Sequence, residues 1–211
     1  MFYVIRMKKT NKKGNVIMQN CQSGRSMLEM LGVLSIIGVL SVGGLSGYGK
    51  MVKQQRVNAS MQQINIISAK ISAAGAQTKS YSGLDNASAN RFNAIPSEMM
   101  IVGDGSLTNP FGGSAEVASS NLTQDGDELA YYIKYSGIPE DACVDLVSRD
   151  WNSSQNSSLL GVGVGDVEND IYQGCQGSDN VACQGDFPMS MNNAAKACNC
   201  GDNCTVVFKF F

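Results

Sequence analysis

Residues 24–47, GRSMLEMLGVLSIIGVLSVGGLSG, decide how the rest of the chain is read. From Met30 to Gly47 there are eighteen residues without a charge. As an α-helix this run rises about 27 Å, close to the roughly 30 Å hydrocarbon core of a bilayer. Glu29 stands just ahead of it, where an unpartnered carboxylate costs on the order of 1 to 3 kcal/mol, so it reads as functional and needs a cation. The nearest candidate is a terminal amine. A cut between Gly24 and Arg25 would make Glu29 the fifth residue and leave a free amino group about one helical turn away.

Upstream, residues 1–24 contain Arg6, Lys8, Lys9, Lys12 and Lys13 and no acid. Positive charges ahead of an apolar span keep that end cytoplasmic. An ordinary secretory signal also has a basic start, but its apolar stretch is usually about 7 to 15 residues and ends in a small-x-small site. Here that cut would fall near Ser46 or Tyr48, without an A-x-A pattern.

A basic leader ending in Gly24, a glutamate five residues on and an unbroken apolar helix resemble the processing site of type IV prepilins. The length of the leader resembles the type IVb branch, that of the toxin-coregulated and bundle-forming pilins. The resemblance implies cleavage after Gly24 by an inner-membrane prepilin peptidase, methylation of the new amine at Arg25, and pairing of Glu29 with the terminal amine of a neighbouring subunit. It also implies insertion in the inner membrane, handling by an assembly machinery there, and growth into a homo-oligomeric extracellular filament. Arg25 departs from the family's usual apolar first residue.

Beyond the apolar run, Val57, Met61, Ile64, Ile67, Ile71 and Ala74 recur at spacings of three and four, with polar residues on the other faces. This pattern predicts an amphipathic second half of the same helix, reaching about Gln77, with its apolar stripe on a sheet. Gly43, Gly44 and Gly47 weaken the helix between the halves by about 1 kcal/mol each relative to alanine. They serve either to loosen it or to bring helices close in lipid.

Residues 76–114 are rich in Ser, Asn, Gly and Ala and read as a connection with one short helix near 87–92. Strands are expected at 116–119, 128–135, 159–163 and 205–211, and a helix begins after Pro139 and ends near Asp150 or Trp151. The expected fold is α+β: a leader at 1–24, a long helix at 25–76 with its membrane span at 27–47, and a globular domain at 77–211 whose antiparallel sheet packs on the helix. The run GVGVG at 161–165 lacks the spacing and following helix of a nucleotide loop.

Of seven cysteines, Cys21 falls in the leader, leaving Cys143, Cys175, Cys183, Cys198, Cys200 and Cys204. Six cysteines allow fifteen disulfide connectivities, which sequence alone does not separate. The pilin resemblance implies a clamp from Cys143 to the C-terminal group, Cys198 first and Cys200 or Cys204 next. Local bridges Cys175–Cys183 and Cys200–Cys204 take the remainder. Zinc at the closely spaced Cys198, Cys200 and Cys204 is the rival, disfavoured by an extracytoplasmic setting and a chain without histidine.

Without histidine, a nucleophile elbow or a phosphate loop, the sequence offers no catalytic constellation, and neither cofactor nor metal is expected. Asp125, Asp127 and Glu128 read as a solvated turn rather than a calcium loop. Removing the five basic leader residues takes the formal charge from −2 to −7, and from Gln77 onward seventeen acids face six bases. Such a surface disfavours nucleic acid. The reading is a structural pilus subunit. Its alternatives are a pseudopilin or minor pilin of a type II secretion system and, from another class, a membrane-anchored monomeric adhesin or binding domain.

Overall fold

The computed structural model describes residues 27–99, 105–151 and 158–211. Helix α1 (Met27–Thr78) is followed by α2 (Asn86–Arg91), a 3₁₀ turn at Ser97–Met99, and strands β1 (Leu107–Thr108), β2 (Ser114–Ser120) and β3 (Ala130–Ile138). Then come α3 (Glu140–Val147), β4 (Leu159–Val164), β5 (Val181–Cys183), α4 (Met191–Ala197) and β6 (Cys204–Phe210). The chain divides into two units, the first ending at Tyr48 and the second comprising Gly49–Phe211.

In the second unit, Val57, Ile64, Ile67 and Ile71 are buried along one stripe of α1 and join the main core. They meet the face of the sheet formed by Tyr131, Ile133 and Tyr135 of β3 and Val206, Phe208 and Phe210 of β6. Polar groups in this interface are paired. The Tyr131 hydroxyl donates to the Ser68 carbonyl at 3.0 Å and lies 2.9 Å from Ser72 Oγ, and the Tyr135 hydroxyl donates to Gln63 Oε1 at 3.2 Å. The helix stops where Lys79 takes a left-handed φ of 54° and its N–H returns to the Gly75 carbonyl. Gly75 itself is needed because the Tyr81 ring occupies the space of a side chain there. That ring also leans on Tyr131, 4.7 Å between centroids.

All strand pairs are antiparallel, in the order β1-β2-β3-β6-β4-β5. The C-terminal strand therefore lies mid-sheet. Four strands are expected from the sequence and six are present among the described residues. The additional β1 and β5 are two and three residues long, too short to show alternation, and are defined by their neighbours. α4 is also additional: MNNAAKA has no apolar stripe, and its start is set by Ser190, whose hydroxyl caps Asn193 N–H. α3 ends at Val147 rather than near Asp150, where the Trp151 indole N–H takes the Leu146 carbonyl that a continuing helix would offer to residue 150.

A second, smaller core lies around Ala130, Leu160, Val207, Val167 and Ile171. The alternating glycines of β4 explain it. A Cβ at Gly161 would stand 2.5 Å from Ile171 Cγ2, and one at Gly163 would collide with Val167. The segment after β4 thus lies directly on bare strand. Lys209 Nζ donates to the Glu168 carbonyl at 2.7 Å, and Cys175–Cys183 ties the far end of the segment to β5.

Candidate assembly and anchoring site

In the first unit, the described apolar side chains from Met30 to Leu45 all face outward, from Val33 at 49% exposure to Val39 at 75%. This is the one candidate membrane span among the described residues, with a mean hydropathy of 1.9 over its best window. Ser35 and Ser41 within it bond their own backbone, Ser35 to the Leu31 carbonyl and Ser41 to the Ile37 carbonyl, both at 2.8 Å, so neither hydroxyl is left unmet on the apolar surface. Gly32, Gly38, Gly43, Gly44 and Gly47 have open space where a Cβ would be. The helix stays helical through the last three. Glu29 lies in its first turn, exposed. Gly24, Arg25 and Cys21 lie outside the described residues.

Within the second unit the structure brings the six remaining cysteines into three disulfides. Cys143 on α3 joins Cys198 at the C-cap of α4, Cys175 joins Cys183, and Cys200 joins Cys204. The first closes a separation of 55 residues, which on the chain-entropy account stabilises by about 4 kcal/mol. The Sγ atoms of Cys143, Cys200 and Cys204 lie within 4.8 Å of one another, the geometry that makes zinc conceivable. Bound in disulfides, they present no thiolate to a metal.

Asp127, one of the acidic trio, organises the turn before β3. It accepts from the N–H groups of Leu122, Thr123 and Leu129 and from the Thr123 hydroxyl. Burial alone would raise its pKa, but these bonds outweigh it and hold the carboxyl below the usual range. Asn109 does comparable work in the NPFGG turn, donating to the Ser114 and Ser136 carbonyls while accepting from Phe111 and Gly113 N–H. On the outer sheet face, Lys134 reaches Asp166 at 2.6 Å and Glu168 at 3.6 Å. The sequence reading missed Lys209; the bare glycine face of GVGVG was the available signal that something covers β4.

An exposed apolar helix whose amphipathic continuation is seated on a disulfide-clamped antiparallel sheet is the build of a type IV pilin. The chain belongs to the PilS family, whose N-terminal model (PilS N terminal) matches residues 54–210. It is 30% identical over 169 residues to proteins named major structural subunit of bundle-forming pilus, from Escherichia coli O111:H- and Escherichia coli O127:H6 (strain E2348/69 / EPEC). Each alignment covers 77% of this chain and 83% of the relative. The fold is similar to that of TcpA, a type IV pilin from Vibrio cholerae El Tor biotype, with a TM-score of 0.52 at 17% identity, covering 74% of this chain and 99% of that one.

Proposed function

We propose that this chain is a structural subunit of a type IV pilus, assembled through the first half of α1 into an extracellular filament. The observation that carries this reading is the contrast along one helix in a PilS-family chain: an outward apolar half with no partner among the described residues, and a half committed to a folded domain. The role is structural rather than catalytic, in keeping with relatives named for a major structural subunit. Before assembly the apolar half holds the precursor in the inner membrane. A prepilin peptidase cuts after Gly24, and Glu29 pairs with the amine of Arg25 on a neighbour, fixing the axial step of the filament. An unpaired carboxylate in that apolar core would cost several kcal/mol.

Two measurements on one pair of strains test this. N-terminal sequencing of the protein from cell envelopes is expected to start at Arg25. In Glu29→Ala the start and the amount of protein should be unchanged while surface fibres disappear from electron micrographs. A start near Tyr48 overturns processing at Gly24, and fibres at normal number overturn the register role of Glu29.

A further inference from the structure

Three of the four cysteines near the junction of α3, α4 and β6 are sealed: Cys143, Cys198 and Cys204 have no exposed surface. Cys200 alone is exposed. Once the domain has closed, a small-molecule or protein oxidant therefore has one sulfur of this cluster to meet, and it is not a member of the long-range bridge. The loop lengths point the same way. Cys200 and Cys204 are separated by four residues, whereas Cys143 and Cys198 are separated by 55. Closing the shorter loop is favoured by on the order of tens-fold in an unfolded chain. The sulfurs of Cys200 and Cys204 lie within 4.8 Å of the Cys143 sulfur, so a small shift brings a Cys143 thiolate onto the bridge.

We propose that the Cys200–Cys204 disulfide is an internal oxidant that hands its bond to Cys143 and Cys198 as the domain closes. In the first step the Cys143 thiolate attacks Cys204 Sγ. The Cys143–Cys204 bond forms, the Cys200–Cys204 bond breaks, and the electron pair leaves on Cys200, whose exposure lets water solvate the departing thiolate. In the second step the Cys198 thiolate attacks Cys143 Sγ, forming Cys143–Cys198 and expelling Cys204 as thiolate. The two protons released by Cys143 and Cys198 match the two taken up by Cys200 and Cys204, so the exchange consumes no other reagent. A disulfide oxidant such as oxidised glutathione then accepts two electrons at exposed Cys200 and restores Cys200–Cys204. The exposed pair thus acts as a port through which a buried clamp is closed. This inference is independent of filament assembly.

The test refolds the full-length chain in detergent, reduced and unfolded at the start, in oxidised glutathione. Aliquots are alkylated at intervals and bridges counted by non-reducing peptide mass mapping. In Cys200→Ser/Cys204→Ser, formation of Cys143–Cys198 is expected to slow at least about fivefold, with Cys175–Cys183 forming at the wild-type rate. Equal rates for the long bridge overturn the relay. Should that variant not fold, Cys198→Ser gives a second measurement by stalling the exchange after its first step. A Cys143–Cys204 peptide with Cys200 alkylated or carrying glutathione is the expected product. Finding Cys200–Cys204 alone, with Cys143 wholly alkylated, overturns the proposal.

Discussion

The two halves of α1 use the same aliphatic side chains to opposite ends. Leu34, Ile36 and Leu40 are 63%, 64% and 68% exposed, whereas Val57, Ile64 and Ile67 are fully buried. The difference is one of pattern. Around the first half apolar residues occupy every face, so no single sheet could cover them, and burial has to come from lipid or from other helices. Around the second half they form a stripe whose Val57, Ile64, Ile67 and Ile71 are buried, with Met61 and Ala74 half-buried at its edges. A residue's contribution to folding is therefore set by the half in which it stands, and charge placed in either half separates assembly from folding.

The largest effect expected is on the first half. Val39→Lys places a charge at mid-span, where insertion alone costs about 3 kcal/mol and close packing of apolar helices costs more. Surface fibres should be absent by electron microscopy, while the domain's melting temperature in detergent stays within a degree or so of wild type. A lowered melting temperature would mean that the first half supports the fold, and the contrast would fail.

On the second half the outcome inverts. Ile67→Ala removes buried methyl groups from the helix–sheet interface and should cost about 2 to 5 kcal/mol in denaturant unfolding. A loss below about 1 kcal/mol would show that the stripe is not the seam holding helix to sheet. A smaller effect belongs to the other face of the sheet. Gly161→Val drives a side chain into Ile171, and overpacking of this kind costs about 1 to 3 kcal/mol. The segment between Gly165 and Cys175 should become the first site cut by a protease in that variant; an unchanged cleavage map would show that the segment does not rest on the glycines.

The stripe on α1, the helix after Pro139 and the four longer strands were legible because each carries a repeat of 3.6 or 2 over several turns or pleats. β1 and β5 were not, since two or three residues hold no period and exist as strands only beside β2 and β4. Nor could strand order be read. β6 enters between β3 and β4, a placement decided by the fit of Val206, Phe208 and Phe210 under α1, which depends on residues about 140 positions away. The cover over β4 was half legible: GVGV shows a bare face, but not that Val167 and Ile171 are what fill it. Within the candidate site, the apolar span and Glu29 stood out in the sequence because charge and length are local properties. The meeting of Cys143 with the C-terminal cysteines is a tertiary property, which only the pilin resemblance implied.

The least expected of these buried residues is Lys209, and it gives the smallest and most specific effect. Its neighbours in β6 alternate between the two cores, and its own side chain runs beneath the covering segment to the Glu168 carbonyl. Burial pushes its pKa down to about 8, against the Asp127 and Glu168 carboxylates that raise it. Below pH 8 the folded and unfolded chains both hold the proton, and the cost of a buried charge is present in full. Between about pH 8 and the ordinary lysine value of about 10.4, the unfolded chain keeps a proton that the folded chain has released, so stability rises with pH across that window. Tyr131, Tyr132 and Tyr135 oppose it from about pH 10, their ordinary value, because burial raises their pKa and the unfolded chain ionises first. The urea midpoint of the wild type should therefore climb from pH 7.5 to about 9.5 and then fall. Lys209→Met, which keeps the volume and gives up one hydrogen bond, should remove the climb and leave the fall. A climb of equal size in that variant would place the titrating group elsewhere and show that the charge under the outer cover, unlike any charge placed under the stripe of α1, is held at no cost.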